Sequence, residues 1–268
     1  MAQIHSTAII GKNVELNDNV EIGPFCIIEG NVKIDSGTKL YNNVVIKTQN
    51  DDSCIKIGKN NNFFSFSVIG STPQDDKFKN EPSNVEIGDN NIIREYVTIN
   101  GGSNVGNKIA NNKNLTKICN NCCLYISSHV AHDVYLEDNV VLTNYAGISG
   151  HCKIDHDTII GGLTGIHQFV HIGHNVMIGM CCSISNDIPP YAIVSSNKDK
   201  ISGTNIIGLK RHGFNNKDIH LINDFYNDLI EKNILINDIL KKYQDINNDK
   251  INDILEFIKN QSNRRIFL

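Results

Sequence analysis

The sequence contains no tryptophan, and aromatic residues make up only 7% of its 268 positions. A core must therefore be built mainly from aliphatic side chains. No run approaches the ~18 uncharged apolar residues of a membrane-spanning helix, and the beginning, MAQIHSTAIIGKNVE, lacks the basic head and apolar middle of a signal peptide. The net charge of −4 gives no basic field of the kind that attracts nucleic acid. We therefore expect a cytoplasmic protein that does not bind nucleic acid.

A six-residue repeat runs through the first two thirds of the chain. Written in sixes from Ile4, the sequence begins IHSTAI, IGKNVE, LNDNVE and IGPFCI. After short breaks the repeat continues without interruption from Ile118 to Ile184, and every first position is aliphatic except Phe63. Neither the 3.6-residue period of a helix nor the alternation of a single strand predicts this spacing.

The other positions of the repeat predict its shape. The fifth position is mostly small or β-branched, the second is often glycine, and the third and fourth collect residues that favour tight corners. One hexad is therefore a short strand and a corner, and three hexads close a triangular coil of about 18 residues. Stacked coils form a parallel β-helix filled by aliphatic ladders. The pattern resembles the hexapeptide-repeat acyl- and acetyltransferases, and that resemblance, rather than the spacing, implies left-handed winding.

Two segments interrupt the repeat: STPQDDKFKNEPSN at 71–84 and NGGSNVGNKIANNKNLTK at 100–117. Both are expected to loop out without disturbing the coils. The second carries Lys108, Lys113 and Lys117 and no acidic residue. We expect a local cationic patch there on an otherwise acidic protein.

After DIPPYAIV the hexads stop and the apolar residues take helical spacing. The sequence therefore predicts an all-β left-handed parallel β-helix over residues 1–190, with loop insertions near 71–84 and 100–117, and a C-terminal α-helical domain over residues 191–268. Several short amphipathic helices are expected to cover the open end of the coil stack, which would otherwise expose unpaired strand edges.

The eight cysteines are expected to be free thiols, because a chain without a signal peptide rarely forms disulfides. Those at the inward fifth position act as small apolar fillers; they are Cys26, Cys122, Cys152 and Cys182. The C-x-x-C spacing in CNNCC places one cysteine outward and one inward. That arrangement suits neither a zinc site nor a redox pair.

Three histidines share one corner of the predicted triangle. Residues one coil apart stack at one strand spacing, about 4.8 Å, so His132, His151 and His167 cluster in three consecutive coils. Gly150 lies directly over His132, and Asp133 is the residue after His132 in the sequence. Two interpretations stay open at this point: solvated imidazoles at ordinary corners, or a catalytic base with its orienting carboxylate.

A second set of imidazoles offers a metal-binding alternative. Asp138, His156 and His174 are also one coil apart, on another side of the triangle. His151 and His156, five residues apart, resemble the ligand spacing of the carbonic anhydrases that use this fold. A zinc site there needs three imidazoles converging across subunits, and no acidic segment resembles the proton shuttle of that family. We predict no metal site.

Longer strings resemble one family more closely. They are IGPFCII at 22–28, VEIGDNNIIREYVTI at 85–99, SSHVAHD at 127–133, GIHQFVHIG at 165–173, DIPPYAI at 187–193 and IIGLKRHGF at 206–214. They look like the UDP-N-acetylglucosamine O-acyltransferases, which start lipid A synthesis. The resemblance covers the full length, both insertions included, and HVAHD together with GLKRxGF is its most specific part.

The resemblance implies a homotrimer with active sites in the clefts between neighbouring coils. The implied reaction moves a 3-hydroxyacyl chain from acyl carrier protein to the 3-hydroxyl of UDP-N-acetylglucosamine. It implies no metal and no tightly held cofactor, because the phosphopantetheine arm arrives with the carrier protein.

The implied catalytic residues fit the chemistry of that reaction. A sugar hydroxyl is a poor nucleophile at neutral pH, and imidazole is suited to take its proton. His132 aligns with the base of the family, and Asp133 would hold its tautomer. The backbone N–H of Gly150 matches the donor to the oxyanion that forms during attack.

The implied substrate contacts carry over one position at a time. Those on the sugar side are Asp75, His151 and Gln168, with Lys77 as the loop lysine that reaches the active site and His167 as a histidine important to activity. Those on the nucleotide side are His129, Asn205 and Arg211. Arg211 is suited to paired hydrogen bonds with a diphosphate. The basic residues expected to attract an acidic carrier protein are Lys108, Lys113, Lys117, Lys210 and Arg211.

Three positions depart from the family pattern. Ile207 stands where many members carry Glu, and His212 replaces an Arg, so the uridine contacts are expected to differ. Met180 falls where members that take long acyl chains carry Gly. A bulkier side chain at the bottom of the acyl groove should exclude terminal methylenes, each worth about 0.8 kcal/mol of burial. We expect a preference for a chain of about ten carbons.

Alternative functions remain at this point. The N-acyltransferase of the same pathway shares the coils and the base, but it carries an extra N-terminal domain, whereas the hexads here begin at Ile4. An acetyl-CoA-dependent acetyltransferase lacks the HVAHD and GLKR strings. A binding scaffold without turnover would be unaffected by His132→Ala. A metal-binding β-helix of the carbonic anhydrase type is the fourth alternative.

Overall fold

The short strands wind around a triangle, one strand to each side. A computed structural model describes residues 1–196, 200–231 and 236–260, and within them the chain forms 28 strands and four helices. Successive strands join three different sheets in turn, called A, B and C here. The stacked strands are parallel, except that β28 runs antiparallel to β27 at the end of sheet A.

The three sheets are the three sides of the triangle. Sheet A contains β1 (Gln3–Ile4), β4 (Glu21–Ile22), β7 (Lys39–Leu40), β10 (Asn62–Phe63), β13 (Ile92–Ile93), β16 (Cys123–Leu124), β19 (Val141–Leu142), β22 (Ile159–Ile160), β25 (Met177–Ile178), β27 (Ala192–Ser195) and β28 (Lys200–Thr204). Sheet B contains β2 (Ile9–Ile10), β5 (Ile27–Glu29), β8 (Val45–Lys47), β11 (Val68–Ser71), β14 (Thr98–Asn100), β17 (His129–Val130), β20 (Gly147–Ile148), β23 (Gly165–Ile166) and β26 (Ser183–Ile184). Sheet C contains β3 (Val14–Leu16), β6 (Val32–Ile34), β9 (Ile55–Ile57), β12 (Asn84–Ile87), β15 (Leu115–Ile118), β18 (Tyr135–Leu136), β21 (Lys153–Ile154) and β24 (His171–Ile172).

The register follows the period of the sequence. Val130 pairs with Ile148, and Ile148 pairs with Ile166 on the next coil. The fourth residue of a hexad turns the corner with a positive φ, for example 60° at Asp133 and 66° at Phe169. Because asparagine and aspartate tolerate this left-handed conformation best among residues with a Cβ, the corner composition of the repeat has a backbone cause.

The aliphatic first positions form the interior. Ile148 and Ile154 in the middle of the stack are fully buried, whereas Ile4 at its first coil is 49% exposed because no coil lies below it. The cysteines at the fifth position are buried as expected, and all eight cysteines are free thiols. The interior is therefore a continuous apolar ladder of the kind that stacked repeats require.

Both insertions leave from one corner. Residues 72–83 connect β11 to β12, and residues 101–114 connect β14 to β15. Each connection runs from sheet B to sheet C. This edge, which we call the B/C corner, is also where residues 131–134 and 149–152 pass from sheet B to sheet C. The A/B and C/A corners are named in the same way.

Helices follow the last coil. They are α1 (Ile206–Arg211), α2 (Asn216–Glu231), α3 (Ile236–Tyr243) and α4 (Asp249–Lys259). The buried Tyr226 of α2 donates a hydrogen bond to the carbonyl of Pro190 (2.6 Å), and Tyr191 donates to Asp253 Oδ2 of α4 (2.6 Å). The boundary predicted at 190/191 stays a prediction; β27 and β28 follow it in sheet A before α1 begins. In the described segments, every helix is too short or too polar to cross a membrane.

Candidate active site

The B/C corner carries a buried His–Asp pair. The Nδ1 atom of His132 lies 2.8 Å from Oδ2 of Asp133, and the two side chains are only 2% and 0% exposed. The Asp133 carboxylate also accepts hydrogen bonds from the backbone N–H (2.8 Å) and the hydroxyl (2.6 Å) of Ser103. Because a carboxylate oxygen accepts hydrogen bonds, this contact places the proton of the His132 imidazole on Nδ1. The Nε2 atom of His132 is then left as a proton acceptor.

Gly150 leaves the space that His132 occupies. A Cβ at this position would lie 2.5 Å from Cε1 and 2.6 Å from Nε2 of His132, closer than real Cβ contacts. In the described part of the chain, the backbone N–H of Gly150 donates to no protein acceptor. A free backbone donor therefore lies beside the free nitrogen of a histidine.

His151 is held in one orientation by its surroundings. Its Nδ1–H donates to the carbonyl of Gly106 (2.8 Å), and its ring stacks on Phe169 with centroids 4.4 Å apart and planes 4° apart. Its ring meets that of His132 edge to face, with 4.8 Å between centroids. Burial lowers the pKa of His151, although Asp133 opposes the shift. The neutral imidazole is therefore favoured, with its Nε2 lone pair available.

The second insertion forms hydrogen bonds to the backbone around the His–Asp pair that the sequence did not predict. The Nδ2 group of Asn107 donates to the carbonyls of Asp133 (3.0 Å), His151 (3.1 Å) and Cys152 (3.0 Å). On β15, directly after this insertion, the Thr116 hydroxyl accepts from the N–H of Asp133 (2.8 Å). Glycine and asparagine are typical of tight loops, so NGGSNVGN signalled a turn. Nothing in its spacing signalled that the turn folds back onto the pair.

The first insertion brings Asp75 to the same corner. One carboxylate oxygen of Asp75 and one ring nitrogen each of His132 and His151 lie within 4.8 Å of one another. The half-buried Asp75 also accepts the N–H of Lys77 (2.9 Å). Among the described residues, this is the group whose ligand atoms lie close enough together to hold a metal ion. It does not include His156 of the carbonic anhydrase alternative.

The remaining sugar-side residues lie at the outer rim. His167 and Gln168 follow β23 on the next coil and are both exposed, and the His167 ring lies 3.2 Å from the carbonyl of Gln168. Lys77 is exposed and forms no ion pair with any of the described residues. The structure thus places the predicted sugar-side residues along one edge of the β-helix.

The predicted nucleotide-side residues do not lie together in one chain. His129 lies on β17, where its Nδ1 is 2.7 Å from the Thr98 hydroxyl and burial lowers its pKa. Asn205 caps α1 by accepting from Gly208 N–H (3.1 Å), and it donates to the carbonyl of Asn175 at the C/A corner (3.0 Å). Arg211 ends α1 and is exposed. The B/C and C/A corners are opposite edges of sheet C.

The departures from the family pattern also lie near the C/A corner. His212 Nδ1 is 2.7 Å from Asn175 Oδ1, whereas Ile207 is 68% exposed. The expected cationic patch is smaller than the sequence suggests. Lys117 forms an ion pair with Glu86 on the neighbouring strand (2.6 Å) and is half-buried, while Lys108 and Lys113 are exposed. Strand pairing across the second insertion, which the loop sequence does not reveal, brings Glu86 to Lys117.

Sheet B lacks an outward side chain at two positions beside the histidines. Gly147 and Gly165 occupy equivalent positions on β20 and β23, and a Cβ on either would meet no atom within 4 Å. Met180 is 58% exposed at the A/B corner immediately before β26. The outer face of sheet B therefore carries no side chain at these two neighbouring positions, and we call this strip the furrow.

A second histidine pair occupies the C/A corner. The Nδ1 atom of His156 is 2.7 Å from Asp157 Oδ2, and the ring stacks in parallel on His174 at 4.7 Å. Asp138, the third member of this predicted set, instead accepts the N–H and the amide group of Asn120. Burial lowers the pKa of His174 to about 4. The two corners use the same repeat positions but present different surroundings.

Comparison with known proteins identifies the family. Residues 187–267 match the second domain of UDP-N-acetylglucosamine O-acyltransferases, and residues 13–48 match the bacterial transferase hexapeptide repeat. The acyl-[acyl-carrier-protein]–UDP-N-acetylglucosamine O-acyltransferase of Aliarcobacter butzleri is 40% identical over 261 residues, which cover 97% of this chain and 96% of that protein.

Solved structures of the same enzymes match the whole architecture. The UDP-N-acetylglucosamine acyltransferase of Bacteroides fragilis has a TM-score of 0.91 and 38% identity, covering 99% of this chain and 100% of the other. That of Francisella novicida has a TM-score of 0.90 and 32% identity, covering 99% and 94%. The predicted fold class, an all-β left-handed parallel β-helix with a C-terminal α-helical domain, is confirmed. The chain belongs to the UDP-N-acetylglucosamine O-acyltransferase family.

Proposed function

We propose that this protein transfers a 3-hydroxyacyl chain from acyl carrier protein to the 3-hydroxyl of UDP-N-acetylglucosamine, the first step of lipid A biosynthesis, with His132 as general base. The observation that carries the proposal is the buried His132–Asp133 pair with Gly150 packed against the free edge of the ring. Membership of the family supports the reaction, and the geometry of the pair supports the assignment of the base.

The reaction is a single acyl transfer. Nε2 of His132 takes the proton of the 3-hydroxyl as the sugar oxygen attacks the thioester carbonyl. Asp133 stabilises the imidazolium that forms, because its carboxylate lies 2.8 Å from Nδ1. When the tetrahedral intermediate collapses, the C–S bond breaks, and the phosphopantetheine thiolate receives the proton from His132. The ester is formed and the base is regenerated.

The oxyanion of the intermediate needs a fixed donor at the same place. The backbone N–H of Gly150 has no other protein acceptor in the described residues, and its α-carbon faces the reactive edge of His132. Removal of one such donor in other enzymes costs about 10²–10³ in rate. A glycine allows the thioester to approach the N–H without a Cβ in the way.

The sugar is placed at the B/C corner by Asp75, His151, His167 and Gln168, with Lys77 at the loop. The predicted nucleotide-side residues Asn205 and Arg211 belong to the other edge of sheet C. One nucleotide sugar would reach both groups if a second copy of the chain brought its C/A corner to this site. The incomplete site of the single chain therefore supports a homotrimer with active sites between subunits.

We propose that the reaction needs no metal and no tightly held cofactor, since proton transfer and oxyanion stabilisation are both supplied by protein groups. The acyl donor is carried on the phosphopantetheine of acyl carrier protein, and the exposed Lys108, Lys113, Lys210 and Arg211 are available to that acidic partner. Acyl carrier protein and UDP-N-acetylglucosamine are both polar and dissolve in water, which favours a cytoplasmic location.

The furrow on sheet B is the proposed acyl groove. Three strand spacings separate β17, which precedes His132, from β26, which follows Met180, or roughly 14 Å. Gly147 and Gly165 lie on the two strands between them and leave the outer face open there, and the exposed Met180 precedes the last of the four strands. This arrangement supports a chain of about ten carbons, because a longer chain would have to pass the Met180 side chain.

An acyl-transfer assay with His132→Ala tests the base. We expect at least about a hundredfold loss in rate, with assembly and melting behaviour retained. His156→Ala is the matched control, because His156 occupies the same repeat position and also pairs with the following aspartate. Full turnover by His132→Ala would refute the base assignment.

A panel of acyl carrier proteins loaded with ten- to fourteen-carbon 3-hydroxyacyl chains tests the groove. Wild type should prefer the ten-carbon donor, and Met180→Gly should shift the preference towards fourteen carbons. Cys181→Ser, at the adjacent exposed position, should leave the preference unchanged. Faster turnover of fourteen-carbon than ten-carbon donors by wild type would show that Met180 does not limit the chain.

A further inference from the structure

The proposed catalytic corner holds a set of metal-ligating atoms that acyl transfer does not require. Ligand atoms of Asp75, His132 and His151 lie within 4.8 Å of one another. Zinc binds nitrogen and oxygen at about 2.0–2.2 Å, which places neighbouring ligands of a tetrahedron about 3.4 Å apart. A closure of up to about 1.4 Å is therefore needed. Asp75 can supply it, because it lies on a half-buried insertion rather than on a strand.

Both imidazoles already have the outer contacts that orient a metal ligand. The Nδ1 atom of His132 bonds to the carboxylate of Asp133, and Nδ1 of His151 donates to the carbonyl of Gly106. Metal-binding histidines almost always donate their second ring N–H to a carboxylate or a carbonyl in this way. The same contacts leave the Nε2 lone pair of each ring available. Stacking on Phe169 further fixes His151.

The donor set selects the class of ion. Two imidazoles and one carboxylate suit borderline cations such as Zn²⁺ and Co²⁺, whereas Mg²⁺ and Ca²⁺ prefer oxygen ligands. Three protein ligands leave a fourth position for water or for a substrate hydroxyl, as in open zinc sites. The carboxylates of Asp75 and Asp133 offset the charge of the ion in this buried place.

We infer that Asp75, His132 and His151 bind one Zn²⁺ ion per chain and that the bound ion inhibits acyl transfer. The inhibition rests on the proposed function, since an ion on Nε2 of His132 removes the acceptor for the proton of the sugar. Zinc here is an inhibitor rather than a cofactor. Because the ion and the sugar use the same residues, UDP-N-acetylglucosamine and Zn²⁺ compete for the site.

The C/A corner provides a control within the same chain. His156 also bonds through Nδ1 to the following aspartate, and it also has a histidine one coil away. Its ring, however, lies parallel to that of His174, with planes 6° apart, whereas His132 and His151 meet at 84°. Parallel stacked rings do not aim their nitrogens at one point, and no third ligand joins them among the described residues.

Calorimetric titration of the metal-free assembled protein with Zn²⁺ tests the site without turnover. We expect one saturable ion per chain, with an affinity at least about 100-fold weaker in His151→Gln and in Asp75→Asn, because loss of a direct ligand should cost no less than the ~10–100-fold known for outer-shell partners. His156→Gln should bind as wild type does. Co²⁺ should give the visible absorption of a four- or five-coordinate site without thiolate charge-transfer bands.

Competition completes the test. Saturating UDP-N-acetylglucosamine should weaken the apparent Zn²⁺ affinity, and Zn²⁺ should inhibit acyl transfer reversibly on addition of a chelator. Absence of a saturable site, equal loss in His156→Gln and His151→Gln, or thiolate bands would overturn the metal site. An apparent Zn²⁺ affinity that does not change when UDP-N-acetylglucosamine is added would overturn the proposed inhibition. Turnover by His132→Ala would refute the base, and the calorimetric result would stand separately.

Discussion

The B/C and C/A corners begin from the same local sequence and end as different environments. His132–Asp133 and His156–Asp157 both occupy the third and fourth positions of a hexad, and in both the Nδ1 atom bonds to the carboxylate. The side chain of His132 is 2% exposed, whereas that of His156 is 45% exposed. A His–Asp pair is therefore an ordinary product of this repeat, and what surrounds it decides what it can do.

The insertions make the difference. Both leave the coil at the B/C corner. The second brings Ser103 into contact with Asp133, and it brings Gly106 and Asn107 into contact with His151. At the C/A corner, Asp157 accepts from the exposed Asn139, and among the described segments no loop covers the pair, whose histidine side chain is 45% exposed. Hydrogen bonds to a charged group are stronger when water is excluded. The loops thus supply both the desolvation and the donors that fix the proton of the histidine.

The largest expected effect distinguishes the two aspartates. In Asp133→Asn, the amide oxygen stays with the backbone N–H of Ser103, and the NH₂ group replaces Oδ2, where it faces Nδ1 of His132 and the Ser103 hydroxyl. That imidazole must then carry its proton on Nε2 and cannot act as a base, so the turnover number should fall about 10³-fold or more. Asp157→Asn, at the matched position, should stay within about twofold in the same acyl-transfer assay. Similar small losses in both variants would remove the functional distinction between the corners.

The next effect concerns the glycine over His132. In Gly150→Ala, the new Cβ would lie 2.5 Å from the imidazole, so the ring has to move. Because misplacement of a catalytic group by about 1 Å costs about 10² in rate, we expect a loss of that size with the oligomeric state and melting behaviour unchanged.

Gly162→Ala is the control for this change, because Gly162 occupies the same hexad position at the A/B corner. Its new Cβ would meet the carbonyl oxygen of Asn144 at 3.1 Å, which a small shift relieves. Crystal structures of both variants would show whether the His132 ring alone is displaced. An active Gly150→Ala enzyme with an unmoved ring would contradict the packing described here.

A smaller effect is expected from the loop. Ser103→Ala removes the hydroxyl donor to Asp133 Oδ2 and keeps the backbone donor to Oδ1. The loss of one of the hydrogen bonds to a charged group, about 1.5 kcal/mol at the lower end of its range because the backbone donor remains, should reduce the turnover number roughly tenfold and leave the KM for UDP-N-acetylglucosamine unchanged. Ser36→Ala, which removes a hydroxyl contact to Asp35 on a remote coil, is the control. A change in KM alone would indicate a role in binding instead.

The same contrast shows what the sequence could predict. The hexad period is enforced by the interior, so it located His132, Gly150 and His151 at one edge, and the structure places them together. Ser103, Asn107 and the Lys117–Glu86 ion pair were missed because the period does not extend through an insertion. A loop returns to the coil through individual hydrogen bonds of side chains and turns, and these leave no repeating pattern.

The smallest effect at neutral pH is expected on stability, from His174 at the C/A corner. Burial, with a contribution from His156, lowers the pKa of His174 to about 4, while Asp253 opposes the shift; an unfolded histidine has a pKa near 6.5. Between these values the unfolded chain binds the proton and the folded protein does not, so this residue lowers the free energy of unfolding as the pH falls from about 6.5 to about 4. The full loss is at most about 3 kcal/mol.

Urea unfolding of wild type and His174→Asn at several pH values measures this contribution. The variant should lose less stability on acidification through that window and should differ little in its pH dependence above pH 7. His151 and His129, whose pKa values burial also lowers, remain in both proteins and act in the same direction, so only the difference between the two curves belongs to His174. If the free energy of unfolding depended on pH equally in both proteins, the folded protein would accept a charged imidazole at His174 without loss of stability. That outcome would contradict the lowered pKa of His174.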